Sequence, residues 1–213
     1  MNELTKRVLT SILLIILLIL MFNYDYIFIV GLIVFGTIVW FELNHLFLKI
    51  FKNNYAKTTV NFFALIFIFY ILWLSITSFK SYDTKIVLLY LILISVMSDT
   101  GGYVFGKIFK GKKLTKISPQ KTISGAIGAF VFSSLLFIVF SLTFENIDLI
   151  KYLILTLAVS SASQIGDIFI SFIKRKAKVK NTSDILPGHG GLLDRLDGIL
   201  FAIPTGLNLF YFL

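Results

Sequence analysis

Hydrophobic positions along this chain fall in long blocks, with neither the period of a half-buried helix nor the alternation of a strand. Apolar stretches cover about residues 8–22, 27–48, 60–79, 86–105, 123–143, 149–173 and 196–213. Between them lie the polar segments Asn23–Tyr26, Lys49–Thr59, Lys80–Lys85, Gly106–Thr122, Glu145–Lys151 and Lys174–Leu193. A helix on the surface of a soluble domain carries a polar face, whereas these blocks are apolar all round. Most reach the roughly 20 residues that cross a bilayer. The pattern predicts an all-α, polytopic membrane bundle of about seven transmembrane helices. The first block is short and needs its flanking residues, or a thin membrane, to span. Preceded by Lys6 and Arg7, it looks like a secretory leader, but it runs into Asn23-Tyr24-Asp25-Tyr26 without a small-residue cleavage site. We read it as a retained helix.

Composition closes off the other classes. Hydrophobic residues make up 57% of the 213 positions and charged residues 15%, against about 25% charged in an ordinary soluble domain. Mean hydropathy is +0.91. A soluble enzyme, a disordered chain and a secreted disulfide scaffold are all excluded. The absence of cysteine removes disulfides, thiol catalysis and Cys-based zinc sites. The net charge of +9 would suggest nucleic acid on a soluble chain, but here it sorts by side of the membrane. With alternating spans, 17 of the 20 basic residues share the side of the N-terminus. They are Lys6, Arg7, Lys49, Lys52, Lys57, the six lysines from Lys107 to Lys121, the five basic residues from Lys174 to Lys180, and Arg195. Only Lys80, Lys85 and Lys151 face the other way. Basic loops stay in the cytoplasm, so the N-terminus is expected there, in an inner, plasma-type membrane, and no nucleic-acid partner is expected. With no long linker and no internal repeat, one membrane domain is expected over 1–213. Residues 1–85 would supply N-terminal spans, and 86–213 a catalytic half with cytoplasmic loops 106–122 and 174–193.

In so apolar a chain the polar exceptions carry the chemistry. Acids within spans are costly in lipid and mark bundle interiors or wet cavities. Asp99 ends the fourth block in Ser98-Asp99-Thr100-Gly101-Gly102, and Asp167 stands inside the sixth after Gln164-Ile165-Gly166. Asp194 and Asp197 open the seventh, at a spacing that shares one helix face. An acidic pair in a first turn also simply complements the helix dipole, and lysines in an inside loop need no further role. Yet the second basic loop leads into Leu186-Pro187-Gly188-His189-Gly190-Gly191, whose glycines let backbone N–H groups turn toward an anion. Lysines beside carboxylates suit a phosphate-rich substrate. His189 could bind phosphate, act as an acid or order the loop, and His45 is given no role. Carboxylates near phosphate-binding lysines fit Mg²⁺ better than zinc. The residues alone point to metal-assisted phosphoryl or nucleotidyl transfer at the cytoplasmic face.

Ser171-Phe172-Ile173-Lys174-Arg175, Lys180 and then Leu186-Pro187-Gly188-His189-Gly190-Gly191-Leu192-Leu193-Asp194-Arg195-Leu196-Asp197 resemble the signature of the phosphatidate cytidylyltransferases, the CDP-diacylglycerol synthases. Ser98-Asp99-Thr100-Gly101-Gly102-Tyr103, Ile117-Ser118-Pro119 with Lys121-Thr122, and Ser163-Gln164-Ile165-Gly166-Asp167 fit the same family, so the likeness covers roughly 95–200. It implies joining CTP and phosphatidate into CDP-diacylglycerol and pyrophosphate, with Mg²⁺ required and room for a second cation. Asp167 and Asp194 would hold the metal, with Asp197 supporting or ligating. Lys121, Lys174 and Arg175 would hold the triphosphate or the lipid phosphate, and His189 with Gly190 and Gly191 would close over the phosphates. Asp99 would contact metal, ribose or base. Ser118, Thr122, Lys180 and Arg195 complete the substrate-binding set. Phosphatidate would enter sideways from the inner leaflet. Departures from the family are Asn181, Ser124 and Ile170, where acids are usual. Small residues Gly125, Ala126, Gly128 and Ala129 suggest a homodimer face. Alternatives are a CDP-alcohol phosphotransferase or polyprenol kinase, an ion-coupled transporter using Asp99 and Asp167, and a purely structural membrane protein.

Overall fold

A computed structural model describes residues 3–144 and 147–213. Glu145 and Asn146, the start of the expected Glu145–Lys151 loop, lie outside the described residues. The elements are α1 (Glu3–Asn23), α2 (Asp25–Ile50), α3 (Asn54–Ser78), α4 (Tyr82–Phe109), α5 (Ile123–Thr143), α6 (Leu149–Lys176), α7 (Leu193–Leu196) and α8 (Ile199–Phe212). Among the described residues there is no strand, only isolated bridges Lys113–Thr122 and Leu186–Gly190. The expected all-α, polytopic bundle is the observed class. Among the described residues six helices are long and apolar enough to cross a membrane.

The helices outrun the apolar blocks, because a membrane helix need not end where hydrocarbon does. α1 takes in Lys6 and Arg7, which lengthens the short first block to a full span. α6 continues through Lys174-Arg175-Lys176, where cations complement the C-terminal end of the dipole. The seventh block behaves otherwise. Asp197 and Gly198 interrupt it, leaving a single turn, α7, and a 14-residue α8. At 1.5 Å per residue α8 is about 21 Å long, short of the roughly 30 Å hydrocarbon core. The seventh helix is therefore a short one, and Asp194 and Asp197 do not share a continuous helix.

The chain forms two compact units, and each draws on distant parts of the sequence. The first comprises Met1–Ile76 and Ile173–Leu196, the second Thr77–Phe172 and Asp197–Leu213. In the first, a Cβ on Gly36 of α2 would lie 3.1 Å from Leu72 of α3, and the Asn61 amide donates to Asn44 at 2.9 Å. Leu46 and Val39 of α2 are buried.

In the second unit α4 and α5 are in backbone contact. A Cβ on Gly125 would lie 2.7 Å from the Gly102 carbonyl oxygen, and one on Gly101 would overlap the Gly128 carbonyl. The small face of α5 expected to meet a partner chain is thus occupied by α4 of the same chain. Gly125, Gly128 and Ala129 are buried there. α4 and α6 are joined by buried hydroxyl pairs: Tyr90–Thr156 at 2.6 Å, Ser95–Ser163 at 2.8 Å and Ser98–Ser160 at 3.0 Å. Such pairs satisfy polar groups where lipid offers no partner. Gly206 of α8 packs on Leu91 and Val159.

Candidate active site

In the second unit the polar residues converge on Lys121. The α4 helix ends at Lys110 and Gly111, both with positive φ (51° and 103°). The chain then folds back so that Leu114 N–H donates to the Lys121 carbonyl at 2.7 Å and Ile123 N–H to that of Lys112 at 3.0 Å. Thr122 caps α5 by accepting from Gly125 N–H at 3.0 Å. Ser124, at a position where the resemblance leads one to expect an acid, donates its hydroxyl to the Lys110 carbonyl. Held this way, Lys121 forms an ion pair with Asp167 of α6, Nζ to Oδ2 at 2.5 Å, with side chains 21% and 30% exposed. Asp99 of α4 lies within electrostatic reach of both. Asp197 belongs to the same unit. It is buried, and its carbonyl oxygen lies 2.6 Å from where a Cβ on Gly166 would sit. Ser118 serves the loop through its backbone: its N–H donates to Thr115 Oγ1 at 3.1 Å and its carbonyl accepts from Lys121 N–H at 3.0 Å.

In the first unit the loop after α6 wraps around Asp194. Lys174 Nζ donates to Oδ1 at 2.7 Å, and the two side chains are 12% and 10% exposed. Oδ2 accepts from Thr182 N–H at 2.9 Å and Gly191 N–H at 3.0 Å, and the Thr182 hydroxyl oxygen lies 3.1 Å away. Burial pushes the Asp194 carboxyl up, but the Lys174 hydrogen bond, the two backbone donors and the lysine charge outweigh it and hold the group below the ordinary carboxylate value. Gly190, at φ 85°, gives a Cβ no room, since it would lie 2.9 Å from Asp194 Oδ2.

His189 faces α1. Its Nδ1 is 2.6 Å from Thr10 Oγ1 and its Nε2 3.4 Å from Ser11 Oγ. Arg195 donates from its guanidinium to the His189 carbonyl at 2.9 Å. Partial burial, followed by the Arg195 and Arg7 cations, lowers the imidazole pKa below its ordinary value. The lowered value favours the neutral ring, and both ring nitrogens lie near α1 hydroxyls, an arrangement that fits ordering of the loop. Arg175, Lys180 and Arg195 are exposed.

Sequence reasoning passed over Glu42. It sits within the apolar run of α2, is 3% exposed, and accepts from four donors of the same loop. Leu192 N–H (3.0 Å) and the Ser183 hydroxyl (2.5 Å) reach Oε1, while Leu193 N–H (2.8 Å) and the Thr182 hydroxyl (2.9 Å) reach Oε2. The signal was present, since an acid inside an apolar block marks a protein-facing site.

Among the described residues no three His, Asp or Glu side chains form a ready metal-binding group. The donor chemistry nevertheless fits Mg²⁺, which takes one or two carboxylates with water and substrate phosphates. Asp99 and Asp167 share one nearby ammonium, which leaves negative charge for a cation to balance. Asp194 has Oδ2 held by two backbone N–H donors and only Oδ1, now on Lys174, open to exchange.

Matched against family models, residues 1–213 fit the cytidylyltransferase family throughout. The chain belongs to that family. Among similar proteins, the phosphatidate cytidylyltransferase of Staphylococcus aureus is 43% identical over 120 residues, 55% of this chain and 46% of the relative. That of Staphylococcus saprophyticus is 40% identical over 119 residues, again 55% and 46%. The Bacillus subtilis protein is 35% identical over 159 residues, 72% of this chain and 59% of its own. The aligned region thus spans about half the length of the first of these relatives. Membership in the family makes the acid–lysine pairs of both units candidates for cytidylyl transfer.

Proposed function

We propose that this protein transfers the cytidylyl group of CTP to phosphatidate, releasing pyrophosphate and leaving CDP-diacylglycerol in the membrane. The observation that carries the reading is the pairing of two acids with two lysines, Asp167 with Lys121 and Asp194 with Lys174, in a chain otherwise poor in charge. Relatives named phosphatidate cytidylyltransferase support the substrate assignment.

The reaction joins two anions, so the obstacle is repulsion and alignment. An arriving phosphate competes for each lysine. When Lys121 or Lys174 turns to a phosphate oxygen, its former partner regains a free carboxylate oxygen. In the second unit Asp167, with Asp99 beside it and Asp197 in the same unit, would offer oxygens to a Mg²⁺ ion, and in the first unit Asp194 would do so through Oδ1. When bound, that ion would offset the negative charge gathered on the phosphates. Arg175, Lys180 and Arg195 add cationic surface for phosphate, and Thr122 holds Lys121 at the head of α5. Ser118 shapes the turn before it. The lipid phosphate is already ionised near neutral pH, so no strong general base is needed. The bias of basic residues supports a cytoplasmic side for these loops under the positive-inside rule, and phosphatidate would keep its acyl chains in the inner leaflet.

The test uses purified protein in detergent with phosphatidate, Mg²⁺ and labelled CTP, following label into the organic phase. Metal-dependent product that falls at least about 100-fold in Asp167→Asn is the expected result, since the loss of one electrostatic group in a preorganised site costs on that order. A well-folded wild-type protein that makes no product across varied lipid and detergent overturns the proposal. Cation flux in proteoliposomes without CTP would then favour a transporter.

A further inference from the structure

We propose that Glu42 is a positioning residue for cytidylyl transfer, setting the Gly190–Asp194 turn and, through Thr182, the Asp194–Lys174 pair. The inference rests on the function proposed above. Glu42 is remote from the signature in sequence, 150 residues from Leu192, yet its carboxylate is buried among loop donors. Each oxygen takes one backbone N–H and one hydroxyl, so the carboxylate is fully used. The two amides, of Leu192 and Leu193, stand at the start of α7, where a helix leaves N–H groups without intrahelical partners. Thr182 links the two acids: its hydroxyl is 2.9 Å from Glu42 Oε2 and 3.1 Å from Asp194 Oδ2, while its N–H donates to Asp194. Gly191 makes the approach possible, since a Cβ there would lie 2.7 Å from Glu42 Oε1 and overlap the Thr182 hydroxyl.

All four donors are neutral, so Glu42 has no lysine to exchange for a phosphate. Glu42→Gln keeps size but offers one oxygen. Because the backbone amides use different oxygens, neither orientation of the glutamine amide serves both. One N–H is left facing an NH₂ group, and the turn that carries Asp194 must shift. A misplacement of about 1 Å can cost on the order of 100-fold in rate.

The experiment compares wild type with Glu42→Gln in two readouts. In steady state, kcat per folded molecule is expected to fall at least about tenfold while KM for CTP changes less than about threefold, the split expected of lost alignment rather than lost binding. In hydrogen exchange, the amides of the 190–195 segment are expected to exchange at least about tenfold faster, as a lost protecting bond allows. Wild-type turnover in the variant, or activity lost only in proportion to folded protein, overturns the proposal. Should Glu42→Gln fail to fold, Thr182→Val removes only the bridging hydroxyl and is read in the same two ways. If the wild type makes no CDP-lipid, the reaction assignment fails. The exchange arm needs no catalysis, so unchanged exchange there overturns the Glu42 tie separately.

Discussion

The Lys174–Asp194 pair offers a quantitative test of how the signature loop is held. At 2.7 Å, with both side chains only about a tenth exposed, the gross attraction is about 6 kcal/mol at an effective dielectric near 20. Desolvation cancels much of it, and what mutation reads is the cost of leaving one charge behind, about 3–5 kcal/mol for a buried pair. Lys174 retains 12% exposure and a flexible stem, so its ammonium can partly reach water. Asp194→Asn should therefore destabilise by about 3 kcal/mol, the low end. Lys174→Met should cost less, about 1–2 kcal/mol, because Thr182 and Gly191 still serve Oδ2. The double variant should cost less than the sum by about 1–2 kcal/mol.

Denaturant unfolding of the four proteins in one detergent gives the cycle. Asp194 is held below its ordinary value in the folded chain, so it stabilises fully above the unfolded value near 3.9. That contribution is lost as pH falls through the folded value. The gap between wild type and Asp194→Asn should be flat from about pH 6 to 8 and should close in acid. Additivity within about 0.5 kcal/mol, or a gap that persists in strong acid, would refute the coupling.

Two further outcomes are expected. Gly125→Ala sets a Cβ 2.7 Å from the Gly102 carbonyl; the overpacking should cost about 1–3 kcal/mol and, by moving the head of α5, reduce turnover, so an unchanged melting temperature would contradict the packing. His189 has its pKa lowered in the folded chain, so the loop carries no penalty above the unfolded value near 6.5 and loses stability as pH falls below it. Exchange of the 186–192 amides, corrected for intrinsic rate, should quicken between about pH 7.5 and about pH 5 in wild type. In His189→Gln it should not; equal pH dependence in both would refute the role of the imidazole.

Much of this was legible in the chain because it is local. Hydropathy blocks give the helices, since a span must be apolar over its own length, and α5 coincides with its block at Ile123–Thr143. The signature gives Lys174 and Asp194 because its residues follow one another. What escaped was long-range. The block at 196–213 hides the break at Asp197-Gly198, since two polar or small residues barely change hydropathy while ending a helix. Gly125 and Gly128 advertise close helix approach, but nothing in their spacing tells a neighbour in the same chain from one in a second copy. Here the neighbour is α4.

The acids themselves separate by the partners the fold gives them. Asp167 and Asp194 each face a lysine, and a lysine is a partner that an incoming phosphate can take away. Glu42 faces two backbone amides and two hydroxyls, fixed to the chain or satisfied in place. A carboxylate of the first kind gives up its partner to an anion and is left free to meet a cation, so it can take part in a charge-balanced reaction. A carboxylate of the second kind loses its bonds only if the loop moves, so its contribution is geometric. In lipid, where each buried charge is costly, both kinds must be satisfied at rest. Under the proposed reaction, the identity of the donor, rather than the burial of the acid, would then separate the acid that works on substrate from the one that holds the loop.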